Sequence, residues 1–250
     1  MTSIQGSDAY TKDAFLGGRV KAMQPKNGYR AGVDAVLLAA ACPAQAGETV
    51  LELGCGVGVV ALCLAARVPG VQITGIEVQP DYATLAAKNG VNVVVADLVD
   101  LPRELRQQQF DHVVFNPPYF DPAGTQPADD TGRQHARMEQ TPLSLWFDTA
   151  VKRLRPKGRL TVIHKANRIP DLLRALPASM GAAELLPLQP RRGRAPHLAL
   201  LRARKDARTA FKLHEPKYIH AAAHHEGDHP DYTPEFQSIL KGGTPLLFPG

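Results

Sequence analysis

The chain has 250 residues, of which 44% are hydrophobic and 21% charged, enough to bury one sizeable core. Gly, Arg or Pro interrupts its apolar stretches well short of the roughly 20 residues that a membrane span needs, and Met1 to Lys12 is polar with no apolar signal core, so a cytoplasmic protein is expected. The net charge of +5 conceals an asymmetry: Val151 to His220 holds 17 Lys and Arg against 4 Asp and Glu, with 12 basic and 20 acidic residues elsewhere, which suits a basic face meeting a polyanion.

In chain order, residues 1–45 read as an extension preceding an α/β domain. Ala14 to Met23 is a short strand or hairpin broken by Gly17-Gly18, and Asn27-Gly28 is a turn. Val33 to Cys42 is an apolar helix closed by Pro43. Residues 46–210 then alternate strand and helix. Strands are expected at Thr49–Leu53, Val71–Glu77, Val91–Ala96, Phe110–Phe115, Arg159–His164, Glu184–Leu188 and His197–Arg204. Helices are expected at Val59–Arg67, after Pro80-Asp81, at Leu143–Leu154 and at Ile169–Leu176. Residues 116–139 form a long loop, and the tail from 211 to 250 has weak periodicity. Continuous Val/Ile/Leu strands alternating with helices imply a mostly parallel sheet covered on both faces, with ligands at the carboxyl ends of the strands. Cys42, Cys55 and Cys63 form no CxxC pair and read as small apolar fillers.

The strand at Thr49–Leu53 runs into Gly54-Cys55-Gly56-Val57-Gly58, preceded by Glu52. Glycines there permit close backbone approach to a ligand. The spacing is GxGxG; a dinucleotide turn would place glycine at 59, where Val59 stands, so a pyrophosphate is disfavoured and a nucleoside-plus-amino-acid ligand fits. Glu77 ends the next strand, where a carboxylate can accept from both hydroxyls of a ribose, and Asp97, followed by Leu98, ends the third, where it can accept from an adenine amino group. Over residues 48–204 this series resembles the seven-stranded class I S-adenosylmethionine methyltransferases, a Rossmann-like α/β fold. The resemblance implies S-adenosylmethionine as cofactor, with Gly54, Gly56 and Gly58 passing beneath it beside Glu52 and Cys55, Glu77 and Val78 at the ribose, and Asp97 and Leu98 at the adenine.

Asn116-Pro117-Pro118-Tyr119 follows the fourth strand. Two prolines stiffen the backbone, an Asn oxygen can accept from an N–H donor, and an aromatic ring can stack on a planar group. An aromatic amine is a poor nucleophile because its lone pair is delocalised, and two acceptors on its N–H groups would direct that pair at an activated methyl group. The motif is similar to the signature of amino-group methyltransferases, which modify adenine N6, guanine N2 or protein glutamine N5. Lys26 to Leu38, with Tyr29, Arg30 and Asp34, resembles a segment bordering the cofactor site in bacterial tRNA-valine adenine N6-methyltransferases, which act on the adenosine 3′ of the anticodon. That resemblance implies tRNA as partner. Asp34 also reads as a helix cap. Arg137, in a loosely matching Ala-Arg-x-Glu segment, is a substrate-contact expectation, and Arg191, Arg192 and Arg194 suit phosphate contacts from a loop between the last two strands. A non-catalytic RNA-binding module with the same pocket is the other reading. His220, His224, His225 and His229 carry i, i+4 spacings, but no motif supports a metal there, and a polar tail with no metal is expected.

Overall fold

A computed structural model describes residues 9–118, 141–222 and 231–249. The chain opens with an antiparallel hairpin, β1 (Tyr10–Phe15) and β2 (Val20–Pro25), turning at Leu16–Gly18 where Gly17 takes φ 66°. Helix α1 (Val33–Ala41) has Gly32 at its cap position, so Asp34, expected as the cap, is instead the second helical residue, where Oδ1 still accepts from the Gly32 N–H at 3.2 Å. Seven of α1's nine residues are buried, which its run of alanines and leucines requires.

The alternation then unfolds as β3 (Thr49–Leu53), α2 (Val59–Arg67), β4 (Gln72–Glu77), α3 (Pro80–Lys88), β5 (Val93–Val95), α4 (Arg103–Gln107), β6 (Phe110–Phe115), α5 (Leu143–Arg153), β7 (Leu154–Lys165), α6 (Ile169–Ala175), β8 (Met180–Gln189) and β9 (Leu198–Lys205). The two-residue strands β10 (Lys212–Leu213) and β11 (Lys217–Tyr218) follow, then helix α7 (Pro234–Gly242). The sheet order is β10-β8-β9-β7-β6-β3-β4-β5, with β11 also on β8. The seven expected strands are all present; the short β10 and β11 extend the β8 edge and make the sheet nine-stranded. Every pairing is parallel except those of β9 with β7 and β8.

Both faces of the sheet are covered, and the side-chain alternation shows it. Val50 and Val114 join one apolar cluster with α1, α2, the hairpin and α7, while Leu51, Val113 and Phe115 join another with Leu105, Trp146, Phe147 and Leu172. The chain runs outward through β3, β4 and β5 and returns to place β6 against the other side of β3. This reversal leaves a crevice at the carboxyl ends of β3 and β6, where Leu53 pairs with Phe115.

Helix α7 lies in the tail whose periodicity was expected to be weak. Thr233 caps it, its hydroxyl accepting from the Phe236 N–H, Pro234 occupies the first turn, and Gly243 ends it at φ 68°. Phe236 and Ile239 are buried against α1 and the hairpin turn. The tail also completes the end of α1: Leu246 N–H donates to Ala40 O at 2.9 Å, and the Arg202 Nε donates to Ala41 O at 2.9 Å. Arg67 donates to Ala39 O at 3.0 Å, so two guanidiniums meet the carbonyls at a helix C-terminus. No helix among the described residues is long and apolar enough to cross a membrane.

Candidate active site

The glycine turn leaves β3 with Gly54 at φ 63° and Gly56 at φ 56°. A Cβ on Gly54 would stand 2.6 Å from the Trp146 ring, so this residue must be glycine for packing as well as conformation. Gly56 is different: the nearest atom to a Cβ there is a Tyr29 ring carbon at 3.9 Å, so a side chain would occupy open cavity rather than meet protein. The turn is fixed from below. Cys55 N–H donates to Ile76 O at 2.9 Å and Gly58 N–H to Cys55 O at 2.8 Å.

Glu77 ends β4 and is buried. Its Oε2 accepts from Gly56 N–H at 2.8 Å and its Oε1 from Gln79 N–H at 2.9 Å. Burial raises its pKa, opposed by these backbone donors. Backbone N–H groups of Gln79, Gly56 and Val78 thus face a carboxylate that stands at the cavity wall, where its remaining acceptor capacity can meet a ribose hydroxyl. Glu52, on β3, is also buried; desolvation first, and then the Glu77 carboxylate, push its pKa up to about 8, and its Oε2 has no hydrogen-bond partner among the described residues.

Asn116 follows β6 directly. Its Nδ2 donates to Asp34 Oδ2 at 2.7 Å, while its Oδ1 is buried with no partner among the described residues. Pro117 is buried and Pro118 half-buried beside it. These residues border a cavity of about 240 Å³ together with Tyr29, Glu52, Gly54, Cys55, Gly56, Glu77 and Trp146. Two chain segments separated by some sixty residues thus meet at one cavity because β3 and β6 are parallel neighbours.

The remaining expected residues distribute differently. Arg30 is not at the cavity: it donates to Pro25 O at 2.6 Å and pairs with Asp13, pinning the hairpin. Asp34 is not on the cavity wall and meets the site through its contact with Asn116. Asp97 is exposed, with Oδ1 accepting from Val99 N–H at 3.0 Å; Val78 is exposed, Leu98 packs against the apolar cluster under the sheet, and Gly58 lies in the turn, all off the cavity wall. Tyr119 and Arg137 lie outside the described residues, as do His224, His225 and His229. His220 contacts Asp231 Oδ1 at 2.9 Å and stacks on Tyr232; no cluster of three or more metal-binding side chains occurs among the described residues. All three cysteines are buried and free, as fillers should be.

The arginine loop between β8 and β9 divides. Arg191 is buried and forked onto Asp231, with Nη2 to Oδ1 at 2.8 Å, which holds that carboxyl well below the usual range. Its guanidinium is therefore committed to the fold, a correction to the phosphate role expected for it. Arg192 and Arg194 are exposed, and Arg192 sits 5.1 Å over the Tyr218 ring.

Trp146, Tyr82 and Gln79 also line the cavity, and sequence reasoning missed them. Trp146 reaches it only because α5 packs beneath β3 and β6, with its ring 5.7 Å from Phe115; nothing in its own neighbourhood signals that. Tyr82 offered a signal in hindsight, standing on the helix that follows the acidic strand end; its hydroxyl accepts from Tyr29 N–H at 2.8 Å.

A doubly wound sheet, a glycine turn after its central strand and a buried acid closing the next strand define the class I methyltransferase fold. The chain belongs to the methyltransferase small domain family, whose model matches residues 30–186. Among curated relatives it is 36% identical over 158 residues to the tRNA1(Val) (adenine(37)-N6)-methyltransferase of Porphyromonas gingivalis, covering 57% of this chain and 61% of that protein. The enzyme of the same name from Tolumonas auensis is 30% identical over 202 residues, covering 74% of this chain and 81% of that one. A predicted O-methyltransferase of Agrobacterium tumefaciens superposes with a TM-score of 0.69 over 85% of this chain and 98% of that one; at 22% identity the likeness is one of fold.

Proposed function

We propose that this chain methylates the N6 amine of an adenine in tRNA, at the adenosine 3′ of the anticodon, with S-adenosylmethionine as donor. The observation that carries the reading is Asn116: a half-buried amide whose buried oxygen has no partner among the described residues, beside a glycine turn with an open wall. The names of the relatives supply the base and the RNA; the chain spans 61% of the length of the first of them.

The site fits the cofactor. Glu77 lines the cavity with a carboxylate that can accept from a ribose hydroxyl, and Gly56 leaves space where any side chain would intrude. When bound, the cofactor supplies a methyl group already activated on a sulfonium. The chain's own work is positional. Asn116 Oδ1 and the Pro117 carbonyl accept the two N–H groups of the amine, which draws its lone pair out of the ring and turns it toward the donor. The prolines hold those two acceptors in fixed relation. The displaced proton leaves the product amine for water, so no strong base is required.

Asn116→Ala tests this. Turnover on unmodified tRNA is expected to fall on the order of 100- to 1000-fold, the loss typical for a preorganised transition-state contact. Calorimetric cofactor affinity should stay within about twofold, because the residue acts on the amine. Equal losses in both would make Asn116 structural. Nucleoside mass spectrometry of tRNA from a strain lacking the gene checks the base: absence of N6-methyladenosine is expected, and absence of an N2-methylguanosine instead would overturn the choice of adenine.

A further inference from the structure

An unpartnered amide oxygen is useful only if the amide cannot turn over. Oxygen and nitrogen of an Asn side chain have nearly the same shape, and a half-rotation would present two N–H donors to the cavity where an acceptor is needed. The Tyr29 hydroxyl also meets this side chain, but a hydroxyl can donate or accept and so suits either state; a carboxylate decides between them. Asp34 Oδ2 lies 2.7 Å from Asn116 Nδ2. An ionised carboxylate only accepts, so it holds the NH₂ end and rejects the carbonyl end. The carboxylate is itself held. Its other oxygen accepts from Gly32 N–H at 3.2 Å, and it sits in the first turn of α1, where the helix N-terminus favours a negative charge. Asp34 is 82 residues away from Asn116 in the chain, so the pairing is a product of the fold.

We infer that Asp34 is a positioning residue that locks Asn116 in the state with its oxygen toward the substrate amine. The role rests on the proposed function for its consequence in turnover, but the lock itself does not. Asp34 is not on the cavity wall and acts through Asn116.

Two variants separate this role from simple structural support. Asp34→Ala removes the lock. Asp34→Asn keeps the size but leaves one acceptor for two donors; with its oxygen on the Gly32 N–H, its NH₂ faces Asn116 Nδ2 and favours the flipped state. Both are expected to lower kcat on the order of 100-fold, the cost of a misplaced reactive group, while cofactor affinity stays within about twofold. In an Asn116→Ala background, adding Asp34→Ala should change kcat by less than about twofold, since the two residues work as one unit. A further full loss in that background would show an independent structural role and overturn the inference.

The lock is also readable without substrate. In side-chain amide NMR spectra of the whole chain, the Asn116 NH₂ pair is assigned by its disappearance in Asn116→Ala. One of its protons is expected to exchange slowly with water in the wild type and quickly in Asp34→Ala. An exchange rate unchanged by Asp34→Ala would overturn the inference. If the exchange rate behaves as expected while the wild-type protein methylates no tRNA, the lock stands and the proposed function is what fails.

Discussion

Glu52 is the residue whose position is hardest to maintain. A carboxyl fully out of water, with a second buried carboxylate on the next strand, is expensive to ionise, and its pKa of about 8 expresses that cost. The sign of the effect on stability follows. Unfolded, Glu52 titrates near 4.5; folded, it keeps its proton until about 8. Between these values the native state binds more protons than the unfolded state, so stability falls as pH rises through that window. Glu77, also raised, contributes in the same direction. Glu52→Gln, neutral at all pH, is expected to raise the Tm at pH 8.5 by about 3–8 °C and to leave it within about 2 °C at pH 5. Thermal scans at the two pH values check this; an equal shift at both would mean that packing, not ionisation, sets the cost. Glu52 was legible as an acid preceding the glycine turn, but its burial was not, because that depends on β4 bringing Glu77 alongside.

At the scale of elements, the described hairpin and glycine turn are joined by one side chain. Asn89 ends α3; its Oδ1 accepts from Met23 N–H at 2.8 Å, and its Nδ2 donates to Met23 O at 3.1 Å and Val57 O at 2.9 Å. Asn89→Ala leaves these backbone groups without that partner and is expected to cost about 1–3 kcal/mol, read by urea unfolding. Because Val57 belongs to the turn, cofactor affinity should fall with it; unaltered affinity would show that the turn holds itself. In the sequence, Asn89-Gly90 announces only the end of a helix, and the latch appears once β2 is laid against α3. The same division runs through the fold. Phe110–Phe115 could be read to the residue because its apolar run has sharp polar borders. The third strand was expected over six residues and has three, since a sheet edge has a neighbour on one side only to extend its pairing. Helix α7 escaped notice because its stripe is two residues, Phe236 and Ile239, too short for periodicity to register, although the Thr233-Pro234-Glu235 start and Gly242-Gly243 stop are both written in the chain.

Across the whole molecule, the topology decides which surface can receive an RNA. β7 runs parallel to β6, and β8 parallel to β7 through their shared antiparallel partner β9, so the turn carrying Arg192 and Arg194 lies at the same carboxyl end of the sheet as Asn116. The turns after β7 and β8 are tied to each other, with Ala166 N–H donating to His197 O at 2.9 Å. On the proposed function, exposed guanidiniums at this end would hold phosphates while a base enters the cavity, without selecting its sequence. The buried Arg191 provides the contrast. Replacing Arg192 and Arg194 together by Ala should weaken tRNA binding and reduce the slope of log K against log salt by about 1.4–1.8, the release expected from two phosphate contacts. Arg191→Ala should instead lower the Tm and leave the slope of the folded protein unchanged, because its charge is spent on Asp231. Filter binding across a salt series, with thermal scans on the same samples, separates the two. A slope unaffected by the double substitution would remove the β8–β9 turn from the RNA path and leave the basic excess of Val151 to His220 to be assigned elsewhere on the surface.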